Sequence, residues 1–394
     1  MRYNQPVTSR TPHVVFLAST LTLGGSERIM VSLAKGLPAL GWSTSVVTMR
    51  EPGIIGEELV DSTIPFAANV APGKYSPGNA RRISRVLLPQ KTDLLYVLDH
   101  ENALFWGRLA ARKLGIPTIA ALHSTRLWGG KPSLSWITRK MSNGDAAIVA
   151  VAEGQKRYLE QELHLPSKII HVIYNGIELD RFENISPYLY GELGLPYGNY
   201  LGFVGALRPE KNIPLLIRAF HNLAADFPEW HLAIVGEGSE ENDLRRLIHD
   251  LEMDDRIHLT GFKRDVERIY PLLHLVVLPS HPVVETLPLV LIEAGIAGLP
   301  VVATKVGSVD EIVVEGETGF IIPPNDETAL RESIRTLLLD SELRKSMGDK
   351  GRTQVKSFFG MDRCLAAHDR LFRGILVKSA KMLVGGNKDK NAQN

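Results

Sequence analysis

The chain has a single cysteine, Cys364, in 394 residues. One thiol excludes an internal disulfide framework and any metal site built on several cysteines, and it fits a reducing, cytoplasmic compartment. No apolar run approaches the roughly 18 residues that a membrane span needs. The apolar run near the N-terminus, in "HVVFLAST", is only about seven residues long, which suits a first buried strand and not a secretory leader. Also lacking is G-x-G-x-x-G after either leading strand, which disfavours a nicotinamide-dependent dehydrogenase on a doubled Rossmann scaffold. The net charge is only +1 and gives no ground for a nucleic-acid partner.

What is present is the balance of a soluble globular protein, 44% apolar and 23% charged. The length calls for two domains. Charge is spread unevenly: residues 1–190 carry 21 Lys and Arg against 15 Asp and Glu. That excess favours an anionic partner or a membrane surface, or it is scatter without a role.

Short apolar, β-branched runs recur, each followed by a helical pattern. The first series is 14–19, 43–48, 94–98, 118–124, 146–152 and 169–175. Unalternating runs of this length suit strands buried on both faces of a parallel sheet. A Pro-, Gly- and Tyr-rich stretch at 182–199 reads as a linker. The pattern then restarts at 200–205, 230–236, 256–261, 273–280, 299–304 and 319–324. The fold class is therefore α/β, with two doubly wound, Rossmann-like domains: 1–190, and 191–360. A last helix covers 361–380, and the polar residues 381–394 form a disordered tail. Ligands of such folds bind beyond the carboxyl ends of the strands, which favours a cleft between two facing domains.

Residues just after strands thus carry the functional interest. Gly24 and Gly25, in "LTLGGSERIMVSLAKGL", lead into an amphipathic helix; the turn is either an anion site at a helix N-terminus or only a tight turn. Gly205 ends a strand, and Arg208 and Lys211 follow in "GALRPEKN". A planar fork and a point charge at the mouth of a sheet suit a diphosphate, or form a solvated loop. Gly236 and Gly238, in "GEGSEE", would let a nucleotide lie on the backbone. Gly261 and Phe262 would meet the edge of a base.

The stretch "VVETLPLVLIEAGIAGLP" (283–300) places Glu285 in a loop after a strand. Pro288 suits the first helical position, where its missing N–H costs nothing. Gly298 ends the helix, giving a span of 288–297. Leu287, Leu289 and Val290 then offer backbone donors to a phosphate. Glu293, within the helix, could accept from a ribose diol. An acid among apolar residues needs partners if it is buried.

The combination of "GGSER", "GALRPEKN", "GEG" and "ETLPLVLIE" resembles retaining GT-B glycosyltransferases of the family 4 type. "VIYNGIELDRF" (172–182) and "GLPVVATKVGSVDEIVVEGETGFIIPPND" (298–326) match the same running pattern. The resemblance covers about residues 12–375. It implies two Rossmann-like domains, with a nucleoside-diphosphate sugar held mainly by the second and the last helix packed back on the first. By that resemblance Arg208 and Lys211 hold the diphosphate, Glu293 the ribose, and Gly261 and Phe262 the base. Glu285 and Thr286 lie near the transferred sugar, and Leu287 and Leu289 near phosphate. Gly25 closes on the diphosphate from the first domain, and His123 in "ALHST" lies near the sugar. No cofactor and no catalytic metal are implied. The nearest imitation of a D-x-D site is "DHE" (99–101), read as strand-end polarity with His100 on the acceptor side. The implied course is front-face attack, in which a donor phosphate oxygen helps to deprotonate the acceptor. Thr286-Leu287-Pro288 and Ser308 depart from the commonest family form.

A sugar-nucleotide epimerase on the same fold is the alternative, and a non-catalytic binder a further one. The acceptor, whether glycan, lipid-linked glycan or small molecule, is not legible. Arg81, Arg82 and Arg85 on a helix at 79–91 form a basic face. Either it is solvated, or it binds anionic lipid and gives peripheral association with the inner membrane face.

Overall fold

A computed structural model describes residues 10–22, 24–73, 76–98, 101–123, 140–282 and 285–391. Asp99 and His100 of "DHE" lie outside the described residues. The described residues divide into two compact units. The first takes those up to His123, those from 140 to Ile173 and those from Asp362 onward; the second is Tyr174–Met361.

In the first unit, seven parallel strands form one sheet: β1 (His13–Ala18), β2 (Ser43–Thr48), β3 (Phe66–Ala67), β4 (Leu94–Leu98), β5 (Thr118–Leu122), β6 (Ala147–Ala150) and β7 (Ile170–Val172). Their order is β3-β2-β1-β4-β5-β6-β7. Every residue of β1, β4, β5 and β6 is buried, which is why these strands read as unbroken apolar runs. Six of the seven match the expected series. The seventh, β3, has two residues and pairs only Val46 with Phe66 and Val47 with Ala67, too short for a pattern. Helices α1 (Gly25–Gly36), α2 (Gly53–Val60), α3 (Asn79–Leu87), α4 (Glu101–Leu114) and α5 (Glu153–Gln161) connect the strands.

The second unit repeats the plan with β8 (Asn199–Val204), β9 (Trp230–Val235), β10 (Ile257–Gly261), β11 (Leu275–Leu278), β12 (Val301–Thr304) and β13 (Gly319–Ile322). The order is β10-β9-β8-β11-β12-β13, again all parallel. Helices α6 (Ile213–Ala224), α7 (Glu241–Asp250), α8 (Leu289–Ala297), α9 (Glu327–Leu339) and α10 (Ser341–Phe358) accompany them.

The division after Ile173 falls earlier than the expected 190. The cause is visible in the hydrogen bonds of the intervening segment. Ile177 N–H donates to Phe359 O at 2.8 Å, and Tyr188 N–H to Arg268 O at 3.1 Å. Arg181 pairs with Glu267 at 2.8 Å. The segment is thus tied to the second unit throughout and does not act as a free linker.

Helix α11 (Met361–Asn391) ends the described chain. Where the sequence reading stopped it at 380 and expected a disordered tail, the helix continues to Asn391; no proline stands in that stretch to break it. Its earlier part packs on the first unit. Trp42 Nε1–H donates to Asp369 Oδ1 at 2.7 Å, and Phe372 meets the Trp42 ring edge-on at 5.5 Å. Buried Tyr96 and His368 are joined through Oη and Nε2 at 3.2 Å. No helix among the described residues is long and apolar enough to cross a membrane.

Candidate active site

In a parallel sheet all strands end at one edge, so the loops that follow them gather there. The natural crevice opens where the strand order reverses. In the second unit that reversal lies between β8 and β11. The loop after β8 carries Arg208 and Lys211; the loop after β11 carries Glu285.

These two loops are joined by a side-chain bridge. Lys211 Nζ donates to Glu285 Oε1, and the two side chains are only 21% and 11% exposed. Ser280 Oγ donates to the same Oε1 at 2.8 Å. Ser280 itself is fully buried, and its carbonyl accepts from Thr304 Oγ1 at 2.7 Å. A carboxylate this enclosed needs such hydrogen-bond donors. Arg208 stays more open, with Glu210 at 3.9 Å.

Helix α8 begins one residue later than expected. Pro288 is its N-cap, with φ −68 and ψ 114, so it is extended and outside the first turn. Proline fixes φ alone, and that φ is compatible with either state. The open first turn therefore starts at Leu289 and Val290; Leu291 N–H donates to Pro288 O at 3.2 Å. Gly298 closes the helix at φ 79, in the left-handed region as expected. Glu293 is partly buried on this helix. Its Oε2 accepts from Tyr270 Oη–H at 2.7 Å, and burial, then Glu293, push the Tyr270 hydroxyl pKa upward. Arg181 also feels Glu293: although burial opposes its charge, Glu267, Glu178 and Glu293 hold its pKa above the ordinary value.

The glycine loops are tied backbone to backbone. Gly205 N–H donates to Val235 O at 2.9 Å and Gly236 N–H to Gly261 O at 3.0 Å. A Cβ at Gly236 would stand 1.9 Å from Gly205 O, and one at Gly238 would stand 2.2 Å from Leu207 O. Glycine at both places answers first to loop packing. Gly261 differs: its φ is +71, and nothing lies within 4 Å of an added Cβ. Phe262 beside it is partly exposed. Thr286 and Leu287 are buried, and Thr286 O accepts from Ser308 N–H at 2.8 Å.

In the first unit, Gly24 is the N-cap of α1 and Gly25 its exposed first residue. The anion at this helix end is one the chain supplies. Buried Glu27 receives Ser26 Oγ–H at 2.6 Å and Thr22 Oγ1–H at 3.2 Å, and a Cβ on Gly24 would fall 2.0 Å from its Oε2. His123 follows β5 at the carboxyl edge of its sheet.

Sequence reasoning named both members of the Lys211–Glu285 pair without seeing that they meet. It missed Ser280, Thr304, Tyr270 and Glu27. Ser280, directly before "HPVVE", carried a faint signal as a polar residue closing an apolar run. Among the described residues no group of three or more His, Cys, Asp or Glu is placed to hold a metal ion.

Comparison with known proteins agrees with this fold. The pattern of the family described as glycosyl transferases group 1 matches residues 195–354, and that of glycosyltransferase family 4 matches residues 23–181. N-acetyl-alpha-D-glucosaminyl L-malate synthase of Bacillus anthracis is 26% identical over 308 residues, covering 77% of this chain and 80% of the relative. An Escherichia coli UDP-Gal:alpha-D-GlcNAc-diphosphoundecaprenol alpha-1,3-galactosyltransferase is 25% identical, covering 86% and 91%. Among solved structures, a glycosyltransferase from Rickettsia africae has a TM-score of 0.81 at 20% identity, over 93% of this chain and 99% of that one. Anabaena HepE, solved with UDP and glucose, has 0.79 at 21%, over 91% and 98%.

Proposed function

We propose that this chain, which belongs to the glycosyltransferases of the group 1, family 4 type with the GT-B fold, moves a sugar from a nucleoside-diphosphate donor to a hydroxyl acceptor, with retention and without a metal. The observation that carries this is the bridge from Lys211 to Glu285 across the strand-order reversal of the second unit. One cation and one carboxylate, enclosed together at a switch point, match the two ends of such a donor.

Each group then has a role. Lys211 and Arg208 bind the diphosphate and stabilise it as it departs. The N–H groups of Leu289 and Val290, at the positive end of α8, serve the same oxygens. Glu285 accepts from a hydroxyl of the transferred sugar, with Thr286 and Leu287 alongside. Glu293, oriented by Tyr270, accepts from the ribose diol, and the Gly261–Phe262 backbone meets the base. The bond from the anomeric carbon to the diphosphate oxygen breaks, and its electron pair leaves with the diphosphate. The acceptor oxygen bonds to the same face of that carbon and gives its proton to the departing phosphate. No protein base is required.

Gly25 and His123, at the carboxyl edge of the first unit's sheet, keep the donor roles that the family resemblance implies, Gly25 toward the diphosphate and His123 toward the transferred sugar. The Escherichia coli relative, a galactosyltransferase acting on alpha-D-GlcNAc-diphosphoundecaprenol, supports a lipid-linked or glycan acceptor. The exposed Arg81, Arg82 and Arg85 of α3 would then meet anionic lipid.

The deciding experiment measures binding and slow hydrolysis of UDP-, GDP- and ADP-sugars. Wild type is expected to bind one class and hydrolyse it slowly, and Lys211→Ala to lose hydrolysis while staying folded. No binding of any of them, or full turnover by the variant, would refute the reading.

A further inference from the structure

Lys211 and Glu285, assigned to opposite ends of the donor, are bonded to each other in the free protein. A diphosphate that recruits Lys211 removes one of the two hydrogen-bond donors on Glu285 Oε1. The loop that carries Glu285 must then hold the carboxylate by other means, or the acid swings away from the sugar it is to receive.

We infer that Ser280 is the positioning residue that keeps Glu285 in place when the donor claims Lys211. Its Oγ–H already reaches Oε1 at 2.8 Å. Ser280 is completely enclosed, so this hydrogen bond has no competition from water. Ser280 is itself anchored: Thr304 Oγ1–H, at the end of β12, donates to Ser280 O at 2.7 Å. Neighbouring backbone confines the loop from the other side. Gly307 has φ +55, and a Cβ there would stand 2.2 Å from Glu285 O; Ser308 N–H donates to Thr286 O at 2.8 Å. Glu285 is thus gripped by one mobile donor, a lysine on a long stem, and one fixed donor, a serine on a rigid strand end. The mobile donor is the one the diphosphate takes. The fixed one leaves Glu285 facing the sugar.

This rests on the donor assignment above, and the test separates the two. UDP with UDP-glucose, GDP with GDP-mannose and ADP with ADP-glucose are titrated onto wild type, Lys211→Ala and Ser280→Ala, and sugar hydrolysis is followed for the pair that binds. Ser280→Ala should bind the bare nucleoside diphosphate within about twofold of wild type. Its hydrolytic kcat should fall by about tenfold or more, the worth of one hydrogen bond to a charged group. Lys211→Ala should lose affinity for the diphosphate itself. Thr304→Val, which frees the Ser280 carbonyl, should lower kcat in the same direction by a smaller factor, and it decides the matter if Ser280→Ala does not fold. Wild-type kcat in both the Ser280 and Thr304 variants, with Lys211→Ala impaired, would overturn the role of Ser280 alone. Loss of diphosphate affinity in Ser280→Ala as large as in Lys211→Ala would also overturn it. Unchanged diphosphate binding in Lys211→Ala would overturn the donor assignment and this inference with it.

Discussion

Tyr270→Phe removes a single oxygen from a fully buried side chain. The ring stays, with its tilted contact to Phe182 at 5.9 Å, so no cavity term enters. What is lost is the 2.7 Å hydrogen bond from Tyr270 Oη to Glu293 Oε2. That distance belongs to the short, charge-assisted class. A hydrogen bond to a charged group contributes about 1.5–3 kcal/mol net, and its loss leaves a half-enclosed carboxylate with one donor fewer. The second unit is of a size at which 1 kcal/mol moves Tm by roughly 2–4 °C. The expected fall is therefore about 3–12 °C, read by differential scanning fluorimetry. The same change should loosen the acid assigned to the ribose, so nucleoside-diphosphate affinity should drop by about tenfold, which is 1.4 kcal/mol. Calorimetric titration beside the melting curve gives both numbers. A Tm within a degree of wild type, with unchanged nucleotide affinity, would show that Tyr270 neither stabilises nor orients Glu293.

Gly236→Ala drives a Cβ to 1.9 Å from Gly205 O; the clash is with backbone and no flexible side chain can yield, so it should cost about 1–3 kcal/mol or more, and urea unfolding at wild-type midpoint would refute the close approach. Stability should also fall as pH drops from about 6.5 toward 4. Burial, and next His231, hold His258 at about 4 against an ordinary 6.5; burial, helped by His123 and opposed by the hydrogen bond to Cys364 O, lowers His368 to about 4 as well. In that window the unfolded chain binds more protons than the folded one, so acid favours unfolding. A urea midpoint equal or higher at pH 5 than at pH 7 would contradict this, and His258→Asn should flatten the slope. Replacing Arg81, Arg82 and Arg85 by Gln should abolish low-salt sedimentation with anionic vesicles; absence of sedimentation by wild type would remove the lipid contact.

Much of the fold was readable because strands covered on both faces leave no polar alternation, as in the wholly buried β1 and β4. The candidate site was readable only as a set of residues following strands, since Arg208, Lys211 and Glu285 all stand after β8 or β11. Pairing was not. Lys211 and Glu285 are separated by 74 residues, and Tyr270 and Glu293 by 23, and no local periodicity links them. Pro288 was displaced by one position because its φ fits an N-cap as well as a first helical residue. The early division after Ile173 was hidden because composition marks a segment as irregular without saying which unit holds it.

The return of α11 to the first unit has a consequence for synthesis. Residues Tyr174–Met361 of the second unit are all translated before Asp369 and Phe372 exist to cover Trp42, or His368 to meet Tyr96. Domains usually mature from the N-terminus during translation. Here the first sheet to emerge waits for α11, with an apolar flank open until the whole of 174–361 has been made.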